Sequence, residues 1–168
     1  DESVLWLSKP PGGAGERLRE QMSNRGVEPA RLIFAPRVDA LADHHARIQL
    51  ADLALDPFPY NSHSSGVDVL WAGVPMVSLL GTTFPGRVGA SLLRAAGLHD
   101  LVAESQGAYC DLAVMLANDS VQLRRYRDVL SQRKALPLFN TQLFVRNLEK
   151  AYSLMWKDFC AGVCRPIS

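Results

Sequence analysis

Short apolar runs alternate with amphipathic stretches along most of the chain. Val4-Leu5-Trp6-Leu7 reads as a buried strand, and Ala14 to Arg25 as a helix closed by Gly26. Arg31 to Ala35 predicts a second strand and Leu41 to Leu50 a short helix. Leu53-Ala54-Leu55 predicts a third strand, which runs into the loop Asp56 to Ser62. A helix is expected from Ser64 or Ser65 to Gly73, because Val67, Leu70, Trp71 and Val74 recur at i, i+3, i+4 and i+7. Pro75 to Leu80 reads as a strand broken by Gly81, Arg87 to Ala96 as a helix stopped by Gly97, and Leu101-Val102 as a final short strand. Two or three helices follow. The strongest pattern is the last, where Phe144, Leu148, Ala151, Tyr152, Met155 and Phe159 mark one face from Thr141 to Cys160, with Asn140 as N-cap.

Strands alternating with helices predict an α/β class: a Rossmann-like parallel sheet with helices on both faces. Ligands of such sheets bind beyond the carboxyl ends of the strands. That directs attention to the loops after Phe34, Leu55 and Leu80.

Composition narrows the class further. The 168 residues are 48% hydrophobic and 21% charged, which fits one ordinary folded domain and argues against disorder. A formal charge of +1 argues against a nucleic-acid partner held by its phosphates. No apolar run approaches the ~20 residues of a membrane helix, and no signal pattern is present, so no membrane partner is expected. The cysteines, Cys110, Cys160 and Cys164, are too sparse for a disulfide framework; a reducing, cytoplasmic location is expected. A cluster of basic residues, Arg124, Arg125, Arg127, Arg133 and Lys134, reads as a solvated helix face. The chain starts at Asp1, directly before a strand-like run, and is expected to be a piece of something longer.

Candidate chemistry concentrates in Asn61-Ser62-His63-Ser64-Ser65-Gly66-Val67-Asp68, which follows a strand and opens a helix. Unpaired N–H groups at a helix start attract phosphate, and two hydroxyls and an imidazole would add donors. The plainer reading is a capping box, with Ser65 as N-cap and Asp68 three residues on. In Asp43-His44-His45-Ala46-Arg47 the adjacent histidines diverge on a helix, so no zinc site is expected. His44 and Arg47 share a face that could stack on and hydrogen-bond a base, or simply be surface side chains. Of the carboxylates Asp39, Asp52, Asp56 and Asp68, Asp52 is expected to cap or brace the following strand. No nucleophile and base can be paired. The pattern suits a nucleotide binder.

Gln49-Leu50-Ala51-Asp52, Leu55-Asp56 and the run from Asn61 through Asp68-Val69-Leu70-Trp71-Ala72-Gly73-Val74-Pro75-Met76-Val77 resemble the O-GlcNAc transferases and their bacterial homologues. The resemblance continues through Gly81, Phe84, Arg87-Val88 and Ala90-Ser91, and returns at Pro137 to Thr141 and in the helix of Met155 and Trp156. It implies the C-terminal, donor-binding lobe of a two-lobed GT-B glycosyltransferase. Such an enzyme uses UDP-GlcNAc or a related UDP-sugar, acts on Ser or Thr of an acceptor polypeptide, inverts the anomeric centre and needs no metal or other cofactor. Carried over residue by residue, His63, Ser64 and Ser65 would hold and stabilise the leaving diphosphate, and Asp68 would accept from the ribose. His44 and Arg47, with backbone near Arg37, would serve the uracil, and Asn61 joins the UDP-binding set.

The same resemblance implies partners outside the chain: an N-terminal catalytic lobe, against which the helix 141–160 would pack, and TPR repeats that recruit substrates. This sequence departs from the family where serines replace two threonines and where Leu41 stands near a basic nucleotide contact. A phosphate-binding lysine that the family carries ahead of Val4-Leu5-Trp6-Leu7 is absent. The alternatives are a GT-B transferase for another acceptor (asparagine, glycan or lipid) and a non-catalytic scaffold with the same fold.

Overall fold

A computed structural model describes residues 3–163. Cys164, read from sequence together with Cys160, lies outside the described residues. Cys110 and Cys160 are free and exposed. The chain packs as two compact units, residues 1–44 and 45–168, and the division falls inside one helix.

In the first unit, strand β1 (Leu5–Ser8) pairs in parallel with β2 (Leu32–Ala35), and the connection between them carries helix α1 (Ala14–Ser23). A parallel pair needs a crossover of this kind. Helix and strand meet closely at Gly15, where a Cβ would lie 3.1 Å from the Phe34 ring, and Arg19 lies over that ring at 4.7 Å from its centre. Helix α2 (Leu41–Ile48) follows and crosses the division.

The second unit holds β3 (Ala54–Leu55), β4 (Met76–Leu79) and β5 (Val102–Ala103), in the order β3-β4-β5 with both pairings parallel. Helix α3 (Ser64–Trp71) links the first two strands and α4 (Val88–Ala95) the second two. Helices α5 (Gln106–Ala117), α6 (Ser120–Ser131) and α7 (Thr141–Cys160) complete the chain. Met76, Val77 and Ser78 of β4 are all buried, as expected of a parallel strand covered on both faces. Around it Leu70, Leu93, Leu98, Leu101, Tyr109, Leu116, Tyr126 and Leu130 form one core.

The predicted elements are all present, with ends shifted by a few residues. Helix α3 ends where foreseen, because Gly73 at φ +86° lets the Val74 N–H turn back to the Val69 carbonyl at 3.1 Å. The α/β class with parallel strands flanked by helices is therefore the observed one. The basic cluster is only partly a solvated face. Arg124 and Arg125 are exposed, but Arg127 donates to the Ala51 carbonyl and Arg133 lies over the Trp71 ring. Asn140 caps α7 as predicted, accepting from Leu143 N–H at 2.9 Å. Among the described residues, no helix is long and apolar enough to cross a membrane.

Candidate functional site

The loop from β3 to α3 is built around one buried carboxylate. Asp56 is 1% exposed; its Oδ1 accepts from Ser62 N–H at 2.6 Å and its Oδ2 from the Ser78 hydroxyl at 2.5 Å. Its backbone carbonyl accepts from the Tyr109 hydroxyl at 3.1 Å. Burial first, then the nearby Asp56 and Cys110 charges, push the Tyr109 hydroxyl up to about 12. Asn61 is equally buried and spans the loop: it donates to the Pro57 carbonyl at 2.9 Å and accepts from Gly89 N–H at 3.3 Å.

The same loop is pinned to the one after β4. Asn61 N–H donates to the Pro85 carbonyl at 3.0 Å, and that second loop is itself closed by Gly81 N–H donating to the Gly86 carbonyl at 2.7 Å. A Cβ on Gly86 would lie 2.9 Å from the Pro59 carbonyl oxygen. Only a glycine fits so close an approach of two backbones. The Phe58–Pro59 peptide is cis.

This bracing sets where α3 begins, and it corrects the expected capping box. Ser62 is held by Asp56, His63 becomes the N-cap, and the helix starts at Ser64. Ser65 is therefore the second helical residue, and Asp68 lies too far along to reach back to the cap. His63 makes no side-chain cap bond. Its ring stacks on Tyr60 at 5.0 Å and meets Phe84 edge-on at 6.2 Å, and its buried Nε2 has no hydrogen-bond partner among the described residues. Asp52 is exposed, so the brace expected of it falls to Asp56.

His63, Ser64, Ser65 and Asp68 thus lie together on the start and first turns of α3, with Ser64 and Ser65 exposed. The first N–H groups of that helix carry no side-chain acceptor from the cap, which leaves donors for an anion. His44 and Arg47 both lie on α2 and are half-buried. The neighbouring His45 places Nε2 3.2 Å from Asp68 Oδ1. Asn61 is brought to the loop, but its side chain is occupied by backbone groups. Sequence reasoning missed the roles of Tyr109, Ser78 and Gly89, which lie 22 to 53 positions from their partners in the loop. It also missed Tyr60 and Phe84 beside His63; their only signal was position in two of the loops already singled out. No group of three or more His, Cys, Asp or Glu side chains among the described residues could hold a metal ion.

Comparison with known proteins agrees with this architecture. The family model described as glycosyl transferase family 41 matches residues 1–148. A probable UDP-N-acetylglucosamine–peptide N-acetylglucosaminyltransferase SEC of Arabidopsis thaliana is 38% identical over 162 residues, covering 95% of this chain and 16% of its own length. The UDP-N-acetylglucosamine–peptide N-acetylglucosaminyltransferase of Caenorhabditis elegans is 35% identical over 163 residues, covering 96% of this chain and 14% of its own. A solved mutant of the Thermobaculum terrenum O-GlcNAc transferase superposes with a TM-score of 0.84 at 34% identity, over 95% of this chain and 31% of that one. The chain thus spans about a sixth of these curated relatives, and its fold is the GT-B type expected from the resemblance. A match across most of its length, in sequence and in fold, places the chain in glycosyl transferase family 41.

Proposed function

We propose that the chain is the UDP-sugar-binding part of an inverting transferase that moves N-acetylglucosamine from UDP-GlcNAc to Ser or Thr hydroxyls of polypeptides. The observation that carries this reading is the start of α3. There a helix end without a side-chain cap, two exposed serines and an imidazole whose Nε2 has no partner among the described residues converge within three residues. The names of the relatives supply the sugar and the acceptor class.

In this reading His63, Ser64 and Ser65 donate to the diphosphate. Charge grows on UDP as the bond to the sugar breaks, so donors fixed in advance by the Asp56 brace favour the transition state over the bound donor. The helix end supplies the positive field, and no metal is invoked. Asp68 accepts from a ribose hydroxyl, while His44 and Arg47 stack on and hydrogen-bond the uracil. Asn61 acts indirectly, by holding the loop that presents His63. The acceptor polypeptide, an N-terminal lobe packed against α7, TPR repeats in the parent protein and a cytoplasmic location complete the proposal.

Calorimetric titration with UDP, against ADP and GDP as controls, tests it. UDP is expected to bind selectively. Asp68→Ala and His63→Ala each remove a charged or charge-assisted contact and are expected to weaken binding roughly 10-fold or more. Equal affinity for the three nucleotides, or none for UDP, overturns the reading.

A further inference from the structure

The structure gives His45 a partner that its place in the sequence did not suggest. Adjacent residues on a helix point about 100° apart, so His45 does not share the face of His44 and Arg47. Its Nε2 lies 3.2 Å from Oδ1 of Asp68, with the two side chains 20% and 32% exposed. The pair ties α2 to α3 across 23 positions of sequence, and its acceptor is a residue to which the proposed function gives a role in binding.

We infer that His45 is a positioning residue that fixes the Asp68 carboxylate for the ribose of the nucleotide; the inference rests on the proposed donor site. A carboxylate offers about four acceptor positions on its two oxygens. The ring N–H of His45 takes one on Oδ1 and limits the rotamers of the side chain, so that the carboxylate meets a sugar hydroxyl in one orientation. With that orientation already set, the ligand no longer has to order the carboxylate on binding. This is worth roughly 3- to 10-fold in affinity for one side chain. The effect belongs only to ligands that carry the hydroxyl Asp68 accepts from.

The test compares UDP with 2′-deoxy-UDP and 3′-deoxy-UDP in calorimetric titrations of the chain and its His45 variants. The unsubstituted chain is expected to prefer UDP over at least one deoxy analogue. In His45→Ala that preference shrinks roughly 3- to 10-fold while affinity for the disfavoured analogue holds, and in His45→Gln, which keeps an N–H donor, part of it returns. If His45→Ala does not fold, His45→Gln and His45→Leu, close in size and different in donor, carry the same comparison. A preference unchanged in the variants, or an equal loss for UDP and both analogues, overturns the inference while leaving the donor site standing. Absence of UDP binding in the unsubstituted chain, or no preference for UDP over either analogue, instead removes the ribose role of Asp68 first, and the inference with it.

Discussion

Helix α3 is eight residues long and buries Gly66 and Leu70, whereas α7 is twenty residues long and buries none. The short helix is held at its start by the buried Asp56 and Asn61, and at its end the Trp71 ring meets Phe139 at 5.1 Å. The long one exposes Phe144, Leu148, Tyr152, Leu154, Met155, Trp156 and Phe159. A cavity of about 380 Å³ opens where it begins, lined by Trp71, Leu138, Phe139, Asn140, Thr141 and Phe144. The contrast separates two properties that often go together. A helix can carry a strong apolar stripe and contribute little to the core of its own unit, while a short helix is fixed by a few buried polar contacts before it. Contiguous exposed apolar surface of this kind marks a face that meets another surface, in line with the proposed packing of α7 against a second lobe.

The largest effect is expected at the carboxylate that holds the α3 start. Asp56→Ala leaves the Ser62 N–H and the Ser78 hydroxyl unpaired inside the unit, and should cost about 4 kcal/mol in urea unfolding at pH 7. If the variant unfolds within about 1 kcal/mol of the parent, the loop is not braced there. Gly89→Ala should cost ~3 kcal/mol, because its Cβ would lie 2.0 Å from Asp56 Oδ2 and 2.2 Å from Ser78 Oγ.

Next comes an alkaline dependence. Tyr109 has its folded pKa raised from 10.0 to about 12, so the folded chain keeps this proton through an interval in which the unfolded chain loses it. The contribution is whole below pH 10 and is lost as pH rises toward 12, by roughly 2–3 kcal/mol. Tyr109→Phe should remove that part of the slope, at the expense of about 1 kcal/mol near neutrality for the lost bond to the Asp56 carbonyl. An identical slope in the variant would assign the alkaline loss to other groups.

The smallest effect belongs to α7. Leu154→Gln and Phe159→Gln, at positions 61% and 75% exposed, should each shift stability by less than about 0.5 kcal/mol. A cost of 2 kcal/mol or more would mean that this face is covered within the chain itself, and would erase the contrast between the two helices.

The resemblance to the O-GlcNAc transferases rested on residues 49–91 above all, and the family assignment bears it out. The residues placed at the diphosphate, ribose and base remain proposals, with the nucleotide titration as their test. The structure adds why the matching run takes the shape it does: Asp56, read only as one carboxylate among four, fixes the helix start that the capping-box reading placed two residues late.

Local chemistry was enough to write the element order into the sequence. Apolar runs of two to six residues set the strands, glycines at positive φ set the ends of α1, α3 and α4, and Asn140 set the start of α7. Each of these depends on neighbours within about one helical turn, which a reader of the chain can see. Tertiary structure decided which polar groups meet. The Tyr109 hydroxyl reaches the Asp56 carbonyl across 53 positions, Gly89 N–H reaches Asn61 across 28, and His45 reaches Asp68 across 23. No periodicity encodes such pairs. They arise because parallel strands joined by helices return distant loops to the same edge, where a buried polar group must find a partner or lose its hydration without compensation.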